Sequence, residues 1–262
     1  MKISIIGCGW LGLPLGEYLV LKGYDVTGTT TSPEKLSTLK QVGINPILLS
    51  FNPAPEGDLS GLLDAEVLII TIPPRAGKQG DPFYPKQFQY LLSMLSTYKG
   101  HVIHISSTSV YKDTNGSVTE TDAVDVHHPI VQAEQVLKNS SLPLTILRCG
   151  GLLGYDRIPG KYFIGKTVNT GQIPVNFIHR NDVVEIILEV IRQNRWNETY
   201  NVVAPEHPVR KDVYLQNANV HGWAAPAFAE PAEPIPFKVI SPEKLINQLH
   251  YSFLYPDPLY FK

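Results

Sequence analysis

The chain has 262 residues, 43% hydrophobic and 18% charged, which suits one large domain or a domain with a smaller lobe. Its net charge of -2 lacks the basic excess of a nucleic-acid binder, and no apolar run is long enough to span a bilayer. The two cysteines, Cys8 and Cys149, show neither disulfide nor CxxC spacing, so free thiols in a cytoplasmic protein are expected.

The opening "MKISIIG" runs from a β-rich stretch straight into glycines, so it reads as a first strand and not as a secretion signal. From Leu11 the period becomes helical, with Leu11, Leu15, Tyr18 and Leu19 on one face and Gly23 closing the helix. "YDVTGT" is a second strand. Pro33 begins a second helix, with Ser32 placed to cap it. "NPILLS" is a third strand, and "EVLIITIPP" a fourth, apolar on both faces like a buried parallel strand. Phe88, Leu91, Leu92 and Leu95 stripe a further helix. "HVIHIS" is strand five, "VQAEQVL" is helical and "LPLTILRCGG" is strand six. This alternation predicts an α/β fold: a doubly wound parallel sheet with right-handed crossovers and helices on both faces. After Gly151 the rhythm breaks. Val184, Ile187, Leu188 and Ile191 stripe one more helix, with Asp182 and Glu185 at capping-box spacing, and "ETYNVV" is a late strand. Residues 203–237 are rich in proline, and much of this stretch is expected to be loop.

"IIGCGWLG" sets Gly7, Gly9 and Gly12 in GxGxxG register between a strand and a helix, the context that a dinucleotide loop requires. The first glycine permits the tight turn, the second lets the backbone approach a pyrophosphate, and the third lets helix and strand pack closely. The helix N-terminus adds free N–H groups and the positive end of a dipole. Trp10 and Leu11 complete this cofactor loop. Strand two ends in "GTTTSPEK", without the acid that would bind a ribose 2′-hydroxyl. Thr30, Thr31 and Ser32 would instead tolerate a 2′-phosphate, so NADP is the expected cofactor and NAD the alternative. Strand four ends in "TIPPRAG". Its Thr71, Ile72 and Pro73 would line the cofactor channel, with Arg75 and Lys78 close enough to meet phosphate.

Strand five runs into four hydroxyls, Ser106, Ser107, Thr108 and Ser109, and then Val110 and Tyr111. Taken with the glycine loop, "HISSTSVYKD", "LTILRCGGLLGYDR", "NFIHRNDVVEIILEVI" and "ETYNVV", the chain resembles the extended short-chain dehydrogenase/reductase family over nearly its whole length. That family is the NAD-dependent epimerase/dehydratase group of nucleotide-sugar enzymes. The resemblance implies a Rossmann-type NAD(P)-binding domain over residues 1–150 and a small C-terminal substrate lobe over residues 151–262, interleaved with the end of the sheet. It also implies a Ser or Thr after strand five and a Tyr-x-x-x-Lys on the next helix, where the cation favours the phenolate. Ser107, four residues before Tyr111, matches the serine. The next helix, "HHPIVQAEQVLKN", sets Ile130 and Glu134, or Val126 and Ile130, at the Tyr and Lys positions. The chain therefore resembles the atypical branch that lacks Tyr-x-x-x-Lys. On this resemblance Ser107 and Tyr111 are the candidate catalytic residues and Ser106 a cofactor contact. Ser109, Tyr111, Arg157, Lys161 and His179 are the candidate substrate contacts.

The remaining polar residues carry less. His127 and His128 sit where the missing acid/base would stand, and read equally as solvated residues before a proline. Glu120 and Asp122 would shape the substrate loop, Cys149 packs, and Asp182 caps a helix. No metal-ligand spacing, P-loop or GxSxG motif occurs. The expected partner is a small-molecule substrate such as a nucleotide sugar, with no nucleic acid and no membrane; a homodimer is an open alternative to a monomer. The expected activity is that of an oxidoreductase or epimerase, and the alternative is a non-catalytic dinucleotide-binding sensor or regulator. A β-hydroxyacid dehydrogenase, suggested by "MKISIIGCGWLGLPLG", would need a helical second domain for which the chain after Gly151 is too short.

Overall fold

The structure, a computed structural model, describes residues 1–74, 80 and 82–261. In chain order the strands are β1 (Lys2–Ile6), β2 (Asp25–Thr30), β3 (Asn45–Phe51), β4 (Pro55–Gly57), β5 (Val67–Ile70), β6 (His101–Ser107) and β7 (Gly116–Val118). They continue as β8 (Leu144–Cys149), β9 (Gly151–Leu153), β10 (Thr167–Val168), β11 (Phe177–His179), β12 (Thr199–Val202), β13 (Ala227–Phe228) and β14 (Lys238–Ile240). The helices are α1 (Gly12–Leu21), α2 (Leu36–Gln41), α3 (Phe83–Met94), α4 (Pro129–Lys138), α5 (Arg180–Arg192), α6 (Arg210–His221) and α7 (Glu243–Leu249).

An eight-stranded sheet has the order β12-β8-β6-β5-β1-β2-β3-β4. β1 lies parallel between β2 and β5, β2 is parallel to β3, β5 is parallel to β6, and β4 turns back antiparallel on β3. The chain builds outward through β1, β2 and β3, then returns to the other side of β1 at β5. That reversal is a topological switch point, and in such sheets ligands bind in the crevice beyond the carboxyl ends of the flanking strands. Val67, Leu68, Ile69 and Ile70 of β5 are fully buried, as a central strand covered on both faces must be. The fold is the Rossmann-type doubly wound α/β fold that the alternating pattern predicts.

Two compact units make up the chain. One comprises Met1–Val110, Val124–Leu147 and Leu188–Thr199; the other comprises Tyr111–Ala123, Arg148–Ile187 and Tyr200–Lys262. The first holds β1 to β6 with α1 to α4. The second holds the short parallel pairs β9/β11, β7/β14 and β10/β13. Its small core gathers Val168, Val175, Val213 and Tyr214, against which Phe163, Phe177, Phe228 and Leu259 pack.

One local expectation is filled in and one is corrected. Much of residues 203–237 is loop, as the prolines predict, but α6 occupies twelve of them. Its buried stripe is narrow, Val213, Tyr214, Asn217 and Ala218, and the helix stops at Gly222 in the left-handed conformation. The surrounding prolines lie outside it and mask so short a stripe. Ser32 makes no side-chain cap, since Pro33–Lys35 is a tight 3-10 turn that precedes α2. The Ser32 N–H donates to Thr30 Oγ1 (3.2 Å), and its carbonyl accepts from the Lys35 N–H (3.0 Å). Among the described residues no helix is long and apolar enough to cross a membrane.

Candidate functional site

The glycine loop is tied to both neighbouring strands. Gly7 leaves β1 with φ near +105°, a conformation that glycine adopts without strain. Its N–H donates to Thr29 Oγ1 at the end of β2 (2.9 Å), and its carbonyl accepts from Thr71 Oγ1 just beyond β5 (2.6 Å). A Cβ on Gly12 would stand 2.3 Å from the Gly7 carbonyl oxygen, so the first turn of α1 closes directly on the loop. Gly9 differs: it is exposed, and among the described residues a Cβ there would meet only the Gly7 carbonyl oxygen, at 4.0 Å. The fold thus requires Gly7 and Gly12 but leaves Gly9 open to whatever approaches the loop. No side chain caps α1 and no acid stands in its first turn, so the helix itself supplies no anion to its dipole end. Cys8 turns inward, and burial pushes its thiol up to about 12, beyond the range of a reactive thiolate.

The other candidate cofactor residues border this loop in the same unit. Thr29 and Thr30 are buried with their hydroxyl oxygens engaged by Gly7 and Ser32, whereas Thr31 is exposed and Ser32 half-buried. Thr71 and Ile72 are half-buried and Pro73 exposed; the Ile72 carbonyl accepts from the Tyr84 hydroxyl (3.0 Å). Trp10 is half-buried and Leu11 buried. Arg75 and Lys78 lie outside the described residues.

The hydroxyls after β6 divide by face. Ser106 is buried and donates to Glu134 Oε1 on α4 (2.6 Å). Glu134 is 1% exposed, and its second oxygen lies 3.5 Å from the ammonium of Lys138, which is 40% exposed. Ser107 is half-buried; its Oγ accepts from the Ser109 N–H (3.1 Å), and among the described residues none accepts its hydroxyl proton. Ser109 is exposed. His128 caps α4, its Nδ1 accepting from the Ile130 N–H (3.2 Å), which commits that nitrogen to the helix end; His127 is exposed. Two residues before Ser106 on β6, His104 is fully enclosed edge-on to Phe88. Burial drives its pKa down to about 4, against the opposing charge of Glu134. A histidine held below its ordinary 6.5 stabilises the fold above that value and loses the contribution as pH falls towards 4. Melting curves from pH 7 to pH 4 are expected to show a loss on the order of 3 kcal/mol from this residue. His104→Leu is expected to remove that part of the slope; an unchanged slope would show that His104 is not the group titrating.

The second unit carries its own buried polar network. The Tyr111 hydroxyl donates to Asn201 Oδ1 (2.8 Å) and accepts from Arg148 Nη1 (2.8 Å), with the guanidinium over the ring. The Asn201 N–H donates to Glu120 Oε1 (2.7 Å). Tyr111, Arg148 and Asn201 are all buried. His179 is 1% exposed and lies among Tyr155, Tyr255 and Phe261, its centroid 3.8 Å from that of Tyr255. Arg157 is half-buried and Lys161 exposed. Cys149 is enclosed, with burial pushing its thiol to about 12. Asp122 holds the Thr119 N–H and hydroxyl, which lower its pKa.

Asp182 is not a helix cap. It is fully buried and accepts from the Tyr251 hydroxyl (2.8 Å), the Leu254 N–H (2.7 Å) and the Tyr255 N–H (3.1 Å). Capping-box spacing is met by any acid near a helix start, and here tertiary partners took the carboxylate. Glu134 was within reach of sequence reasoning: it falls on the buried face of α4 with Ile130 and Leu137, where an acid is out of place without a partner.

These features define a class: a Rossmann-type α/β protein with a glycine loop open at Gly9 beside the switch point of its sheet. The chain belongs to the family of Protein YeeZ of Escherichia coli (strain K12), with which it is 36% identical over 270 residues, spanning 98% of this chain and 97% of that protein. No protein-family model matches it. Among solved structures it is similar to UDP-glucuronic acid 4-epimerase from Bacillus cereus in complex with NAD, at 22% identity and TM-score 0.77 over 96% of this chain and 93% of that one. It is also similar to a human epimerase family protein with NADPH, at 14% identity and TM-score 0.75 over 98% and 96%. A functionally unknown conserved protein from Silicibacter pomeroyi matches at 22% identity and TM-score 0.76 over 98% and 95%. At these identities the likeness establishes the fold.

Proposed function

We propose that the chain binds a nicotinamide dinucleotide, NADP or NAD, on the glycine loop and acts as an oxidoreductase or epimerase on a small polar substrate of the nucleotide-sugar kind. The observation that carries this reading is the open Gly9. The loop is pinned by Gly7 and Gly12, yet the one glycine that the fold does not need is the one whose lack of a side chain would admit a pyrophosphate. The NADP preference rests on the exposed Thr31 and half-buried Ser32 at the end of β2, neutral hydroxyls where an NAD site would place an acid. Ser107, whose proton none of the described residues accepts, is the residue proposed to hold a substrate oxygen. Ser109, Arg157 and Lys161 are proposed as further substrate contacts. Tyr111 and His179 are enclosed and would act by shaping the second unit.

One observation favours a second reading, a dinucleotide-binding sensor or regulator without turnover. The Tyr111 hydroxyl is closed into a buried network, and the resemblance sets Ile130 and Glu134, or Val126 and Ile130, at the positions of the family's Tyr and Lys. Calorimetry with NADPH and NADH, beside the fluorescence of Trp10, tests binding. Nicotinamide absorbance in the presence of nucleotide sugars then tests turnover. Binding with hydride transfer is expected; binding without it for any such sugar would select the second reading, and no binding would remove both.

A further inference from the structure

Two buried polar side chains on α3 reach out of their helix to backbone carbonyls at or beyond the ends of strands. The Tyr84 hydroxyl donates to the Ile72 carbonyl (3.0 Å), and Gln87 Nε2 donates to the Phe51 carbonyl (2.8 Å). Both side chains lie on the face of α3 that also buries Phe88 and Leu91. An apolar residue would fill either place without a polar atom to satisfy, so the two hydrogen bonds are what Tyr84 and Gln87 add. Burial pushes the pKa of the Tyr84 hydroxyl up, so it keeps its proton and remains a donor.

Both carbonyls belong to the rim of the crevice at the switch point. Ile72 comes two residues after Ile70, which pairs with Ile6 at the end of β1. Between them, Thr71 is fastened to the glycine loop: its N–H donates to the Ile6 carbonyl (3.0 Å) and its hydroxyl to the Gly7 carbonyl (2.6 Å). Tyr84 grips the next carbonyl along, and Pro73 after it has no N–H to offer. On the other side, Phe51 comes three residues after Leu48, which pairs with Thr30 at the end of β2. One helix thus holds a lip on either side of the β1–β2 pair that carries the glycine loop. A dinucleotide on that loop sends its adenosine half past β2 toward the Phe51 lip, and its nicotinamide half past β5 along the Ile72 lip.

We propose, resting on the cofactor reading above, that Tyr84 and Gln87 are positioning residues of the dinucleotide site. Gln87 sets the lip that receives the adenosine half, and Tyr84 sets the lip that receives the nicotinamide half.

The test is calorimetric titration of the full chain with NADPH and NADH, and with adenosine 2′,5′-bisphosphate and AMP, which carry only the adenosine half. Wild type is compared with Tyr84→Phe, Gln87→Met and Leu91→Ala. Tyr84→Phe is expected to weaken the dinucleotide about fivefold and to leave its adenosine fragment unchanged. Gln87→Met is expected to weaken both about fivefold. Leu91→Ala truncates an apolar side chain that can hold neither carbonyl, so it is expected to melt lower and to bind every probe as wild type does. Dinucleotide binding equal to wild type in both Tyr84→Phe and Gln87→Met overturns the proposal and leaves the cofactor reading standing. Equal weakening of dinucleotide and fragment by Tyr84→Phe, or the same losses in Leu91→Ala, overturns it also. Should Gln87→Met fail to melt cooperatively, the split in Tyr84→Phe decides alone. If wild type binds neither dinucleotide, the cofactor reading falls and this one with it.

Discussion

Gly12→Val is expected to destabilise the protein by about 3 kcal/mol and to abolish dinucleotide binding. The reason is local and steric. A Cβ at that position would stand 2.3 Å from the Gly7 carbonyl oxygen, a backbone atom, and 3.0 Å from Thr71 Oγ1. A flexible side chain could step aside, but this carbonyl is fixed by the Thr71 hydroxyl and by the Gly9 N–H (2.7 Å). Either α1 must withdraw from β1 or the loop must open, and both changes dismantle the surface that would face a pyrophosphate. Denaturant unfolding followed by circular dichroism, with calorimetry on NADPH, measures both effects. A variant as stable as wild type would show that the loop is not held in this way.

Asp182→Ala is expected to cost about 4 kcal/mol, because it leaves the Tyr251 hydroxyl and the Leu254 and Tyr255 N–H groups without their acceptor in a buried place. The effect belongs to the second unit, where this carboxylate ties α5 to residues 251–255. Its pH dependence has a definite sign. Burial, outweighing the three hydrogen bonds and the nearby His179, holds the Asp182 pKa above the ordinary 3.8. A carboxyl raised in the folded state contributes most below 3.8 and loses that contribution as pH climbs through the folded value. The stability of wild type relative to Asp182→Asn is therefore expected to fall as pH rises from below 3.8 and then to level off. A relative stability that grows over the same range would mean that the hydrogen bonds, and not burial, dominate the titration.

The contrast between these two sites shows what a sequence can carry. The β1–α1 loop was legible because its three glycines are spaced by one continuous stretch of backbone, whose geometry depends on neighbours only a few residues away. The alternation of strands and helices was legible for the same reason, since β5 and the apolar stripes of α3 and α5 declare their buried faces locally. Asp182 was not, because its partners lie about seventy residues along the chain and its spacing from the helix start fits a cap equally well. Ser106 and Glu134 are separated by 28 residues, and only the packing of α4 on β6 brings them together. Nor did the four hydroxyls declare their different environments. Ser106 points to a carboxylate, Ser107 accepts a backbone N–H, and Thr108 is buried while Ser109 is exposed.

The central claim is that Gly9 is kept for a ligand and not for the fold, and one comparison tests it most directly. Gly9→Val is expected to unfold within about 0.5 kcal/mol of wild type, because its Cβ enters open space, yet to bind NADPH or NADH at least about a hundredfold more weakly. Equal binding of the dinucleotide by the variant and wild type, or no binding by wild type under the same titration, would contradict the account.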